Sequence, residues 1–268
     1  MSGDIPIARY PAARGASWFK EAFVMFSAAR MPWIFMLLSY YAIMAVVDVL
    51  PVIGHIAVPV LKPVFAVGFL AAAWAQERGQ RPAMKQLFQG FRANLRALLP
   101  LGVLLLAGAT AAVMATTLVD GGALVDALSG KTVLDEDRLA SGKMQQAMLF
   151  GAAVALPVLL ALWYAPALVV FHDCRAPRAL AASFRACILN WRPLGLYALM
   201  VTFYAVVVPG LVAALIAALV PRTLATAVAF TVMLPYLLSL VATLHISDYL
   251  SYRDIFHSEE KPRSSPAA

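Results

Sequence analysis

The sequence predicts an all-α, polytopic membrane protein with six transmembrane helices. Three observations carry this reading. The chain of 268 residues is 62% hydrophobic and 13% charged, with mean hydropathy +0.80; a soluble domain has roughly 25% charged and 45–50% apolar residues. Six apolar segments reach the roughly 20 residues a helix needs to cross a hydrocarbon core. Lysine and arginine alternate in density from one side of these segments to the other. A water-soluble fold of this size has too little polar side chain to cover so much apolar surface.

The six segments are residues 32–52, 56–75, 97–119, 146–171, 194–220 and 224–246. In the first pair Pro51, Gly54, Pro59 and Pro63 fall close together, so that hairpin is expected to kink or break near its turn. Residues 1–31 hold basic residues but no continuous apolar core followed by a small-residue cleavage site, so the first span is expected to act as an uncleaved signal anchor.

Orientation follows from the basic residues. Segments 1–31, 76–96, 172–193 and 247–268 carry four, five, four and three Lys or Arg. The opposite connections carry none at 53–55, three at 120–143 (Lys131, Arg138 and Lys143) and one at Arg222. This alternation predicts that both termini and the two basic loops are cytoplasmic. The 120–143 loop, with Asp120, Asp126, Asp135, Glu136 and Asp137, is the one sizeable outer segment.

An internal repeat accompanies the spans. Phe23–Pro32, Phe91–Pro100 and Phe184–Pro193 each place a Phe nine residues before a Pro that opens a span, with Phe19, Leu87 or Leu180 four residues earlier. The middle copy sets Met84, Leu87, Phe88, Phe91 and Leu95 against Lys85, Gln86, Gln89, Arg92 and Arg96. The third sets Leu180, Phe184, Cys187, Ile188 and Trp191 against Ser183, Arg185 and Arg192. Helical spacing with a basic face predicts interfacial helices lying flat in the headgroup region. The expected plan is three tandem units, each an interfacial amphipathic helix plus a transmembrane hairpin, over 17–79, 83–174 and 178–256. A cytoplasmic tail, 1–16, precedes the single membrane domain 17–256, and another, 257–268, follows it.

The stretches LPVIGHIAVPVLKPVFAVGFLAAA (50–73), WYAPALVVFH (163–172), ASFRACILNWRPLGLY (182–197) and SYRDIF (251–256) resemble an uncharacterised family of proteobacterial six-span inner-membrane proteins. That resemblance covers nearly the whole chain and implies no catalytic residues. The tandem plan is more loosely similar to the membrane domain beside some glycerophosphodiester phosphodiesterases; no phosphodiesterase domain is present, so that activity does not transfer.

Few residues suggest chemistry. Asp48 and Lys62 are the acidic and basic residues within spans, and folding the first hairpin could pair them; snorkelling to a nearby interface is the simpler reading. His172, Asp173 and Cys174, with His245 and Asp248, fall at inner span ends, but none has the i, i+4 spacing of a helical metal site. No catalytic residue, metal or cofactor is expected, and no phosphate loop, serine elbow or HExxH helix occurs. Cys174 and Cys187 read as reduced cytoplasmic thiols. Tyr40, Tyr41, Tyr197, Phe203, Tyr204 and Tyr236 read as packing between spans, and Trp18, Trp33, Trp74, Trp163 and Trp191 as an aromatic belt.

The net charge of +7 and pI near 9.6 reside in loops between spans. The expected partners are therefore membrane lipids, anionic ones among them, through Lys85, Arg92, Arg96, Arg178, Arg185 and Arg192, and another membrane protein; nucleic acid is not expected. The expected function is an integral inner-membrane protein without a catalytic site that binds lipid or a membrane-protein partner. The alternative is a small-molecule transporter or channel, with Pro157, Pro166, Pro209 and Pro235 able to break helices near a midplane site. An intramembrane enzyme ranks third.

Overall fold

A computed structural model describes residues 5–132 and 142–257. Asp135, Glu136, Asp137 and Arg138 of the outer loop, the first four residues and the tail from 258 lie outside them. The described residues are helices joined by short turns. Lipid offers no hydrogen bonds, and a helix satisfies its backbone internally.

Helix α1 spans Ala13–Ala28, α2 Arg30–Asp48 and α3 Ile53–Glu77. Two single turns follow, α4 (Met84–Leu87) and α5 (Gln89–Arg92), then α6 (Leu95–Asp120) and α7 (Ala123–Leu128). Next come α8 (Lys143–Trp163), α9 (Ala165–Phe171), α10 (Ala176–Leu189) and α11 (Trp191–Thr202). A π-helical turn, Phe203–Val207, leads into α12 (Val208–Leu219), and α13 (Arg222–Phe256) closes the chain. Six runs among the described residues are long and apolar enough to cross a membrane: α2, α3, α6, α8 with α9, α11 through α12, and α13. They coincide with the six expected spans. The first hairpin turns at Pro51, with Val52 at positive φ, and carries Pro59 and Pro63 inside α3.

The sixth span runs ten residues past its expected end at Ile246. At about 1.5 Å per residue its 35 residues exceed a hydrocarbon core of about 30 Å. Its buried residues begin at Leu238 and continue to Phe256, so the second half packs within protein.

The described residues form two compact units. One comprises residues 5–46, 65–92 and 186–257, the other 47–64 and 93–185. These do not follow the boundaries of the three sequence repeats. In the first unit α1 packs on α11 and α13, bringing the first and last parts of the chain together. In the second unit α6 and α8 pack along their lengths. Gly151 of α8 faces the Ala112 carbonyl and Thr116 of α6, and Gly102 of α6 lies against the Val60 backbone. Missing Cβ atoms permit such close approach.

The structure revises the interfacial helices. Trp18, Phe19, Ala22 and Phe26 of α1 are buried, so that side of the helix covers protein, while Phe23, the repeat's own aromatic, is 51% exposed. Segment 83–96 is not one helix. Asn94 caps α6 by accepting from the Ala97 N–H at 3.3 Å, which starts a new helix where the old one would have continued. The α4 and α5 turns lie against α3: Leu87 meets Gly68, and Phe88 and Phe91 meet Phe65 at ring separations of 6.3 and 5.2 Å. Only the third copy is a sustained helix joining an exposed apolar stripe to arginines, and its inward face includes Ser183, expected on the polar side. Pro32 and Pro193 are third residues of their helices, within the first turn, whereas Pro100 is the sixth of α6 and falls beyond it.

Candidate functional site

The densest polar cluster in the first unit lies at the end of α13. The Asp254 side chain is fully buried. It accepts from Arg14 Nε at 2.6 Å, Trp18 Nε1 at 3.0 Å and Arg253 Nη2 at 2.9 Å. Arg14 also bonds Glu21, one helical face along α1. Arg253 and the Tyr249 hydroxyl both bond Glu77 at the end of α3. Burial opposes the charge on Arg14, but Glu21 and Asp254 outweigh it and raise its pKa above the ordinary arginine value. Carboxylates and guanidinium groups here compensate one another, as buried charges must.

The chain before α1 is held at the same place. Ala8 N donates to the Ile255 carbonyl at 2.8 Å, and the Tyr10 hydroxyl donates to the Asp254 carbonyl at 3.1 Å. Asn190, buried between α10 and α11, accepts from Tyr10 N at 3.0 Å and donates to the Ala8 carbonyl at 2.9 Å. Residues read as an N-terminal tail are thus a strap across two helix ends. The sequence reading assigned Arg14 and Arg253 only a topological role and passed over Asp254 and Glu77. Arg and Asp side by side within SYRDIF, at the end of an apolar helix, were the available signal.

Two breaks in the spans are closed by hydroxyl groups. Between α8 and α9 the Ser183 hydroxyl accepts from Tyr164 N at 2.9 Å and donates to the Leu160 carbonyl at 2.8 Å. It replaces the bond that Tyr164 N–H would make to Leu160 in an unbroken helix, and Pro166 follows two residues later. At the π turn Val208 N donates to the Phe203 carbonyl. The next donor in that register is residue 209, a proline, which leaves the Tyr204 carbonyl open; Tyr236 donates to it at 2.5 Å. Of the four prolines picked out as helix breakers, Pro166 and Pro209 follow these breaks, while Pro157 and Pro235 lie inside continuous helices.

The expected intramembrane pair takes another form. Asp48 meets His55 Nδ1 at 3.2 Å, both side chains exposed, and Lys62 is exposed without an ion-pair partner among the described residues. The intervening turn reverses the chain so early that His55, seven residues on, reaches Asp48 first. His245 stacks on Phe69 with ring centroids 4.0 Å apart. No group of three or more possible metal ligands occurs among the described residues. Cys174 and Cys187 are not joined, and burial pushes the Cys187 thiol up to about 12. Trp18 and Trp33 are completely buried and hydrogen-bonded, Trp33 to Gln76 at 2.7 Å, so they belong to the protein interior and not to a lipid belt. Trp74 and Trp191 are exposed.

Helix α10 presents three faces. Ala179, Ser183, Ala186, Cys187 and the following Asn190 are buried. Phe184 and Ile188, one turn apart, and Trp191 are exposed at 39%, 50% and 65%. Arg178 and Arg185 are exposed on a third face, and Arg192 follows at the start of α11. Lys85, Arg92 and Arg96 are exposed too, but distributed over α4, α5 and α6.

The chain is 31% identical over 255 residues to a probable inner membrane protein of Burkholderia thailandensis, with 93% of each chain covered. It belongs to that family. Agreement over nearly the full length of both chains, together with six apolar helices, makes this family member a multi-pass inner-membrane protein. No protein-family model matches the chain, and no solved structure does.

Proposed function

We propose that this family member is a non-catalytic inner-membrane protein that binds membrane lipid through α10, with both termini cytoplasmic. The observation that carries the reading is the uncovered pair Phe184 and Ile188 on a helix whose opposite side is anchored in protein, with the exposed Trp191 just beyond its end. Such a helix lies at the boundary of headgroups and acyl chains. The positive-inside count supports the orientation.

The transporter alternative draws on broken helices, whose open backbone groups coordinate substrate in transporters. Here Ser183 and Tyr236 occupy those groups at both breaks, which favours binding at the surface over passage through the middle. Gentle detergent extraction followed by phosphate analysis and identification of co-purifying proteins tests the reading. Tightly held phospholipid that falls to the detergent background in Phe184→Ser/Ile188→Ser supports it. A stoichiometric protein partner in place of phospholipid overturns it in favour of a protein-docking role.

A further inference from the structure

We propose that Tyr40 of α2 and His245 of α13, which both pack on Phe69 of α3, form a binding site within the membrane for a lipid-soluble quinone or quinol, independent of lipid binding by α10.

Depth comes first. Glu77, the last residue of α3, bonds Arg253 and Tyr249 of α13. Eight residues before Glu77 and Arg253, the Phe69 and His245 rings stack with centroids 4.0 Å apart. The two helices therefore run side by side in one direction, and at about 1.5 Å per residue His245 lies about 12 Å from the charged end. The polar layer on each side of a bilayer is only about 5–8 Å thick, so His245 sits at the depth of the acyl chains. Tyr40 shares that level: its ring meets Phe65 and Phe69 edge-on, with centroids 5.2 and 5.5 Å away. All of these residues belong to the first compact unit.

Neither the Tyr40 hydroxyl nor the His245 imidazole has a hydrogen-bond partner among the described residues. Both side chains are partly exposed, but at this depth exposure meets hydrocarbon, which offers no hydrogen bond. Other polar side chains of the spans in this unit are satisfied: Trp33 Nε1 donates to Gln76 at 2.7 Å, the Thr243 hydroxyl to the Ser239 carbonyl at 2.8 Å, and the Tyr236 hydroxyl to the Tyr204 carbonyl. Polar groups left unpaired in a membrane interior are costly and mark a ligand's place. Chemistry supplies the ligand class. The tyrosine donates, and a neutral imidazole has one N–H donor and one acceptor nitrogen. Their complement carries carbonyl or hydroxyl oxygens on a body apolar enough to arrive through the bilayer. Trp33 and Phe69 stack beside the site at 6.4 Å, and the Tyr41 ring, 45% exposed and 5.2 Å from Tyr40, adds an open aromatic face. Such surroundings favour a planar ring over an acyl chain. A quinone has that ring and two carbonyl acceptors; its quinol has hydroxyl groups, which the acceptor nitrogen of His245 also suits.

The test uses the full-length protein in lipid nanodiscs, titrated with decylubiquinone and followed by quenching of tryptophan fluorescence, for which Trp33 is the near reporter. Quenching should saturate. His245→Phe keeps a ring against Phe69, and Tyr40→Phe keeps its contacts with Phe65 and Phe69, so each loses only polar atoms. Each should weaken binding by about threefold to tenfold, the worth of one hydrogen bond. Tyr204→Phe, whose ring stacks on Phe19 instead, should stay within about twofold of wild type. Photolabelling of the wild type with an azidoquinone needs no variant. Label should fall on α2 around Tyr40 and Tyr41 or on α13 around His245, and excess decylubiquinone should displace it where dioleoylglycerol, which has ester carbonyls but no ring, does not. Quenching that never saturates, unchanged affinity in either Phe variant, label confined to other segments, or displacement by dioleoylglycerol overturns the inference. Each of these results leaves lipid binding by α10 standing.

Discussion

Removing the Asp254 carboxylate should destabilise the protein more than any other single polar truncation at the end of α13. In Asp254→Ala three donors lose their acceptor: Arg14 Nε, Arg253 Nη2 and Trp18 Nε1. The two arginines retain Glu21 and Glu77 and have side chains 17% and 19% exposed, so each can recover part of its solvation. The Trp18 indole is completely buried and cannot; an orphaned buried donor costs about 1–3 kcal/mol. Adding the loss of a buried charge partner brings the expected cost to about 3–5 kcal/mol. Arg14→Met should cost less, about 1.5–3 kcal/mol, the range for a hydrogen bond to a charged group, because Asp254 keeps Arg253 and Trp18. Since the two residues share one interaction, the double variant should cost less than the sum of the singles by about 1–3 kcal/mol. Reversible unfolding in mixed micelles of mild detergent and dodecyl sulfate, followed by tryptophan fluorescence, measures all three. Asp254→Ala within about 1 kcal/mol of wild type, or strict additivity, would refute the reasoning.

Other outcomes follow from the same structure. Ser183→Ala should cost about 1–3 kcal/mol, because Tyr164 N and the Leu160 carbonyl lose their common bridge. Tyr236→Phe should cost about 0.6–1.7 kcal/mol, the range for hydrogen bonds between membrane helices; micelle unfolding checks both. Asp48→Asn, Lys62→Met and their combination should each stay within about 0.5 kcal/mol of wild type, since both side chains are exposed; a single variant that falls well below the double in folded yield would revive a direct pair. Reporter fusions after Gly79, Pro177 and the C-terminus should read cytoplasmic, and one near Gly130 periplasmic; a periplasmic C-terminus contradicts six spans with this orientation.

The spans were legible because each is an average over some 20 residues, and an average survives local exceptions such as Pro157 or Pro235. Orientation is an expectation of the same kind, summed over loops. The interfacial helices were harder. Periodicity marked an apolar side on α1 but not its cover, and Trp18, Phe19, Ala22 and Phe26 turned out to face protein. On α10 the true periodicity has three faces, and a two-way division placed Ser183 with the arginines. The polar cluster was invisible for a different reason. Asp254 meets Arg14 and Trp18 across 240 and 236 residues, a separation that no local pattern reports. The same holds for Ser183 and Tyr164, 19 residues apart, where a hydroxyl in one helix repairs another. Asp48 and Lys62 stood out by charge within apolar runs, but the tight turn at Pro51 and Val52 gave Asp48 a nearer neighbour in His55.

Site-specific photo-crosslinking in cells is the most direct measurement of lipid binding by α10. A photoreactive side chain placed at Ile188 should capture phospholipid acyl chains, whereas one at Ala179, on the buried side of the same helix, should join α10 to another part of its own chain. Capture of a second protein at Ile188, with no lipid adduct, would contradict the account.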